Sequence, residues 1–257
     1  MSLPDIPVMG WALIVGVLVG MTGIGLGPIG TPGLLLFFPD ITRTVAVASN
    51  IISGGIAKIS GTAIYQKHGL IVPSIAIAYI VCGFPTLILG SLMLDVVGKQ
   101  PFFSPLVGGI LLLAALSLAV RYLVIRAPAR TLEITRKKIA MAGVLGAAIG
   151  FVVGLTSIGT GSLTIAGFLI LLKLPADYVV GTTLLTAPVF LLISGVTHVV
   201  AGNVSWALTG NLLIGQVVGI AVGSYFAPKI PRLGLRLGIT ALLGVAAIIL
   251  IVSGPGK

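Results

Sequence analysis

Eight long apolar stretches and two short ones leave this 257-residue chain almost no surface suited to water. Hydrophobic residues make up 57% of it, charged residues only 8%, and the mean hydropathy is +1.23. A soluble domain needs about a quarter of its residues charged to cover its surface. Soluble and disordered classes are therefore excluded together. A β-barrel would show short segments of alternating polarity, whereas the apolar runs here are long and unbroken. What remains is an all-α polytopic membrane protein. Cys82 is the sole cysteine, which excludes disulfide frameworks and multi-cysteine metal or redox sites. No metal or cofactor is expected. The net charge of +10 does not point to nucleic acid, because the basic residues fall between apolar runs. The N-terminus lacks a basic leader and runs directly into Val8–Val19, so no cleavable signal peptide is expected.

The first stretch covers about Val8–Thr22 and ends at a glycine-rich break, Gly23-Ile-Gly25-Leu-Gly27-Pro28-Ile-Gly30. A short run, Pro32–Phe38, precedes three longer stretches at about Arg43–Tyr65, Leu70–Leu94 and Phe102–Val124. A basic connector holds Arg126, Arg130, Arg136, Lys137 and Lys138. The plan then repeats: Ile139–Thr156, a break at Ser157–Ser162, a short run Leu163–Leu172, then Ala176–Val200, Val204–Phe226 and Leu233–Val252. The division is a first repeat over 1–125, a connector over 126–138 and a second repeat over 139–257.

The halves are related. At an offset of 134, Gly16, Gly20, Thr22, Ile24, Gly25, Gly27 and Gly33 fall on Gly150, Gly154, Thr156, Ile158, Gly159, Gly161 and Gly167. One residue of slip later, Gly69, Gly90 and Ser91 meet Gly202, Gly223 and Ser224. Internal duplication is a common plan for transporters.

Charge sets the expected topology. If the short runs are ignored, eight basic residues lie inside and six outside, a weak bias. If each short run reverses the chain, Lys67, Arg121, the connector residues, Lys173, Lys229, Arg232 and Arg236 are inside, and only Arg43, Lys99 and Lys257 are outside. The second scheme obeys the positive-inside rule. It has five elements per half, so the repeats are inverted, the connector is cytoplasmic and both termini lie outside. Runs of about ten residues are too short to cross as helices. Each is expected to form a half-helix, paired with the preceding helix in a hairpin whose tip is glycine-rich. Each repeat is thus a short broken-helix hairpin plus three spanning helices, and the two tips enter from opposite faces.

The tips carry the main chemical signal. Irregular backbone at membrane depth survives only where protein buries it or a wet cavity meets it. Gly23, Gly25, Gly27 and Gly30 are expected to leave backbone N–H groups accessible, as are Gly159 and Gly161. The half-helix that follows starts with free N–H groups and partial positive charge. Ser157, Thr160, Ser162 and Thr164 add hydroxyls, and Thr22 and Thr156 close the preceding helices. Two opposed helix N-termini make an anion site without a buried lysine. The alternative is that these glycines serve close helix packing, as Gly16-xxx-Gly20 and Gly219-xxx-Gly223 are expected to do.

These residues resemble the TauE/SafE family of sulfite exporters. Gly20-Met-Thr22-Gly23-Ile-Gly25-Leu-Gly27-Pro-Ile-Gly30-Thr-Pro32-Gly-Leu-Leu, followed by Ala46-Val-Ala-Ser49-Asn50, looks like the family's first copy. Gly154-Leu-Thr156-Ser157-Ile-Gly159-Thr-Gly161, followed by Val180-Gly181-Thr182-Thr183, looks like its second. Ala166 stands where the first copy has Pro32. The resemblance implies transport of sulfite, sulfonates or sulfur-containing organic acids across the bacterial inner membrane. The implied partners are a small anionic substrate and the lipid bilayer, with a homodimer allowed.

Ser49, Asn50, Thr182 and Thr183 occupy matching places after each half-helix. They either face the tips and complete the site or bond to their own helices. Lys58, about seven residues from the cytoplasmic end of its span, could attract the anion, but is expected to snorkel to the interface. His198 and Gln216 are lesser candidates. The acids Asp5, Asp40, Asp95, Glu133 and Asp177 all fall at predicted ends or loops, so a buried carboxylate relay has no candidate. Flux is therefore expected to follow the substrate gradient and the membrane potential. No Walker motif is present. The competing readings are an anion channel and an intramembrane hydrolase using Ser157 and His198. The second lacks the first glycine of G-x-S-x-G, since Leu155 precedes Thr156-Ser157.

Overall fold

A computed structural model describes residues 5–23, 25–97, 109, 112, 116, 132–156 and 160–227. It is all-helical, with no strand among the described residues. Eight helices are defined there: α1 (Ile6–Thr22), α2 (Gly27–Phe37), α3 (Arg43–Lys67), α4 (Pro73–Val97), α5 (Arg136–Thr156), α6 (Ser162–Ile170), α7 (Ala176–Val200) and α8 (Trp206–Phe226). Two expected stretches, Phe102–Val124 and Leu233–Val252, lie outside the described helices, as does most of the connector. Two boundaries differ from expectation. Arg136, Lys137 and Lys138 form the first turn of α5 rather than loop. The first short helix starts at Gly27, five residues before Pro32, with Pro28 in the first turn where a proline is tolerated.

Local chemistry sets the helix ends. Val8 N–H donates to the Asp5 carboxylate at 3.4 Å, and a proline stands in the first turn of α1. The helix stops at Gly23, whose φ of +72° is left-handed and whose N–H donates to Val19 O at 2.7 Å. Ser205 caps α8 by accepting from Leu208 N–H at 3.4 Å.

Helices α4, α5, α7 and α8 are long and apolar enough to cross a membrane, and α1 is a shorter apolar helix. Their outward residues include Leu13, Ile77, Val81, Leu92, Val144, Val196 and Ile214, all exposed. The 25-residue α3 is the more polar helix, and it buries Ser49, Asn50, Ser53, Lys58 and Thr62. Among the described residues the outward side chains of these helices are apolar, and buried polar side chains gather on α3, α7 and α8, as a lipid solvent requires.

The packing crosses the halves. α1 lies along α8, and α4 along α5. Both contacts are glycine-lined: a Cβ on Gly16 would lie 2.9 Å from Gln216 O, and one on Gly223 would meet Val17 O. Gly150 and Gly154 meet Gly83 and Leu87 in the same manner. The expected packing role of Gly16, Gly20, Gly219 and Gly223 is met in this way. Hydrogen bonds recur at the duplicated positions. Ser224 donates to Gly20 O at 3.3 Å, and Ser91 to Gly154 O at 3.5 Å.

Helices α3 and α7 form the centre and run antiparallel. Going along α3, Ile52, Gly55, Thr62 and Tyr65 meet Gly195, Leu192, Leu184 and Gly181 in turn. Pro188 has no N–H for the Leu184 carbonyl, four residues back. The Thr62 hydroxyl, 2.7 Å away, supplies the missing donor.

Candidate functional site

The breaks between α1 and α2 and between α5 and α6 come together. Gly23 sits where a Cβ would lie 3.2 Å from Val180 and 3.4 Å from Ile165, so the first break docks between α7 and α6. Beside it, a Cβ on Gly25 would lie 3.4 Å from Gly161 N and 3.6 Å from the Thr160 hydroxyl. Gly25, Thr160 and Gly161 are all buried. The start of α6 thus abuts the first break. Positive φ is required at Gly23 and not at Gly25.

Not every expected donor is free. Gly23 N–H is spent on Val19 O, and Gly30 N–H on Leu26 O at 2.6 Å. Gly30 is helical, so its expected role as an open donor does not hold. Gly27 and Ile29 occupy the first turn of α2, and Ser162, Leu163 and Thr164 the first turn of α6, where N–H groups have no intrahelical acceptor. α6 starts without a proline, so Ala166 in place of Pro32 does not prevent the half-helix. Thr22 donates to Leu18 O at 2.7 Å, within its own helix. Thr156 ends α5. Ser157 and Gly159 lie outside the described residues.

The polar pairs after the half-helices divide by position. Ser49 Oγ accepts from Ser205 N–H at 3.3 Å, and Thr182 Oγ1 accepts from Val72 N–H at 3.1 Å. Each ties a central helix to the segment that starts a helix of the other half, α3 to α8 and α7 to α4. They do not face the breaks, because each hydroxyl serves a loop backbone group that would otherwise be buried unpaired. Asn50 does face a break. Its amide donates to Leu26 O at 3.3 Å and Thr31 Oγ1 at 3.1 Å, and accepts from Gln216 Nε2 at 2.9 Å. Thr183 holds the equivalent place one turn from Val180, which touches Gly23. Its buried hydroxyl has no partner among the described residues. Ser162, at the first position of α6, is also buried with its hydroxyl unpartnered there.

Lys58 does not snorkel. It is 0% exposed, and its Nζ has no partner among the described residues. Nine residues separate it from Lys67 at the helix end, about 13 Å at 1.5 Å per residue, too far for the side chain to bridge. A span ending at Tyr65 would bring Lys58 nearer the interface, but α3 continues to Lys67 and the packing buries the side chain. Lys58 lies one turn from Gly54, against which Leu26 of the first break packs. His198 sits in the last turn of α7, away from the breaks. Among the described residues no cluster of His, Cys, Asp or Glu could hold a metal.

Two residues escaped sequence reading. Tyr79 is fully buried, stacked on Phe190 and edge-on to Phe168, with its hydroxyl 2.7 Å from Thr164 Oγ1 at the start of α6. Trp11 Nε1 donates to Gly30 O at 3.4 Å. A lone tyrosine or tryptophan in an apolar run reads as an interfacial residue, so neither gave a signal.

Chemically, the meeting point offers helix-start N–H groups and hydroxyls, with the buried Lys58 one turn from the residue against which Leu26 packs. Such donors suit an oxyanion. The family model described as Sulfite exporter TauE/SafE matches residues 8–250. The Bacillus subtilis (strain 168) protein named "Probable membrane transporter protein YjnA" is 30% identical over 250 residues, covering 93% of this chain and 96% of that protein. A second protein of that organism, "Probable membrane transporter protein YdhB", is 26% identical over 244 residues, with coverage of 93% and 96%. A third, "Probable membrane transporter protein YunE", is 24% identical over 236 residues. No solved structure matches the chain.

Proposed function

The chain belongs to the sulfite exporter TauE/SafE family, a family of membrane transporters and not enzymes, and we propose that it carries a small sulfur oxyanion, such as sulfite or a sulfonate, across the bacterial inner membrane. The observation that carries this reading is the contact of Gly25 with Thr160–Gly161, beside the unpartnered hydroxyls of Ser162 and Thr183. The anion sits where the breaks meet. It accepts from the first-turn N–H groups of α2 and α6 and from these hydroxyls. A sulfonate has three oxygens in a pyramid, which several short donors can share. Thr156, Ser157 and Gly159 are assigned to the same site from the sequence, by their match to Thr22, Gly23 and Gly25.

The repeats are inverted in this reading. Antiparallel α3 and α7, which occupy equivalent places in the two halves, support that, as do the paired bonds at Ser224 and Ser91. The ten-element plan puts the connector in the cytoplasm and both termini outside. Labelling of single cysteines at Ala129 and Leu233, in a Cys82→Ser background, is expected from the same side. The breaks, held between two packed helix pairs, alternate their access from one side to the other.

The test is counterflow in proteoliposomes with sulfite, sulfate, sulfoacetate, taurine and acetate. Saturable exchange of sulfite or a sulfonate, with acetate inactive, is expected. Equal flux for acetate would show that nothing in the site reads a sulfur oxyanion. Flux that never saturates would favour the channel.

A further inference from the structure

A buried charge without a partner is costly, and proteins avoid it by pairing the charge or by neutralising the group. Lys58 is fully buried in α3, and no described residue pairs with its amine. Among the described residues no acid pairs with it. The crossing places it between Gly55, which meets Leu192, and Thr62, which meets Leu184, and so opposite the middle of α7 around Pro188. On α7, Asp177 and Tyr178 stand in the first turn and His198 in the last. On α8 the one titratable group is Tyr225, exposed and next to the last residue. α2 carries none. On α3 itself, Tyr65 and Lys67 lie toward the end of the helix and Arg43 at its start. Tyr79 of α4 is engaged with Thr164. Of the acids, Asp5 caps α1, Asp177 opens α7, Asp95 stands in the last turn of α4, and Asp40 and Glu133 are outside helices.

The amine is nevertheless within reach of the breaks. Gly54, one turn before Lys58 on the same face, is filled by Leu26, the residue between Gly25 and Gly27. The flexible four-carbon stem of a lysine covers about the 5.4 Å of that turn.

We infer that Lys58 is the counter-charge of the transported anion and that its amine takes up a proton from water as the anion binds, so that anion and proton occupy the protein together. This rests on the reading of the breaks as an anion site. The balance is simple: R–NH₂, a proton and an oxyanion become an ammonium–oxyanion pair, with no covalent bond formed between them. Charging the amine alone leaves an unpaired buried cation, and binding the anion alone leaves an unpaired buried anion. Each stabilises the other, and the linkage is reciprocal. A buried amine can in this way link flux to protons where no membrane carboxylate is present. One anion and one proton moving together make the transport of a monoanion electroneutral.

The experiment is calorimetric titration of the purified full chain with methanesulfonate, which stays ionised throughout. It is run from acid to alkaline pH in pairs of buffers with different ionisation enthalpies. The wild type is expected to take up close to one proton per anion at alkaline pH. Its affinity should fall up to about tenfold per pH unit there. Lys58→Arg, which stays charged, is expected to bind without proton uptake and with flat pH dependence. Lys58→Met should bind weakly at every pH. Wild-type binding with no proton uptake at any pH would overturn the inference while leaving the anion site standing. Unchanged uptake in Lys58→Arg would overturn it too, by assigning the proton to another group. Failure of the wild type to bind either methanesulfonate or sulfite would overturn the anion site and the inference with it. Should the variants not accumulate, the wild-type titration decides alone.

Discussion

In the first half, Asn50 reaches the break with both ends of its amide engaged, to Leu26 and Thr31 on one side and Gln216 on the other. In the second half, Thr183 stands at the same offset with its hydroxyl buried and unpartnered among the described residues. The same contrast recurs at the helix starts, where Pro28 of α2 matches Ser162 of α6. A single backbone plan has been given two chemistries. The Asn50 amide is used up in holding the first break in place, while the Thr183 and Ser162 hydroxyls have no partner among the described residues. Duplication thus supplies the geometry twice and leaves each copy free to specialise. The paired glycine contacts of α1 with α8 and α4 with α5 are the part that has not diverged.

The largest effects should fall on that undiverged part. Gly20→Val and Gly154→Val each push a branched side chain into facing backbone, at Ile220 and Leu87. Overpacking of this kind costs about 1–3 kcal/mol or more. Both variants are expected to lose most folded protein in a detergent size-exclusion assay. If only one did, the two crossings would not be equivalent.

A second pair should separate the halves. Asn50→Ala strands the buried Gln216 amide nitrogen, which costs about 1–3 kcal/mol, and a lower melting temperature is expected. Thr183→Ala strands nothing, so its stability should stay near that of the wild type. Its anion affinity should drop by up to about tenfold, the worth of one hydrogen bond of roughly 0.5–1.5 kcal/mol. Reversal of these two outcomes would break the division of labour.

At the contact itself, Gly25→Val is expected to abolish transport with normal membrane insertion. Gly25→Ala should keep part of it, because its Cβ makes only ordinary contact at 3.4 Å. The smallest effect belongs to Thr22→Ala, whose hydroxyl serves Leu18 O. Transport assays should find it within about twofold of the wild type, since a helix-internal bond of this kind adds little.

Much of the fold was legible. Apolar runs, the 134-residue offset and the glycine breaks located all eight described helices, because lipid forces helices into unbroken apolar segments. The meeting of the breaks was legible from the duplicated glycine-rich tips, read as opposed helix N-termini. Side-chain roles were less legible. Ser49 and Asn50 are neighbours in sequence, yet a helix turns about 100° per residue, so one serves Ser205 and the other the break. Lys58 misled because snorkelling is decided by distance to the interface, which sequence gives only through a boundary. Gln216 was visible as a polar residue in an apolar run, but its partner Asn50 is 166 positions away.

The central claim is that the anion sits where the two breaks meet. Substrate protection at that point tests it most directly. Gly25→Cys and Thr160→Cys, each in a Cys82→Ser background, are labelled with a small maleimide in proteoliposomes at rising concentrations of sulfite or methanesulfonate. Slower labelling at both positions, half-maximal at the concentration that half-saturates transport, is the predicted result. Labelling unchanged by an anion that the same vesicles transport at saturation would contradict the claim.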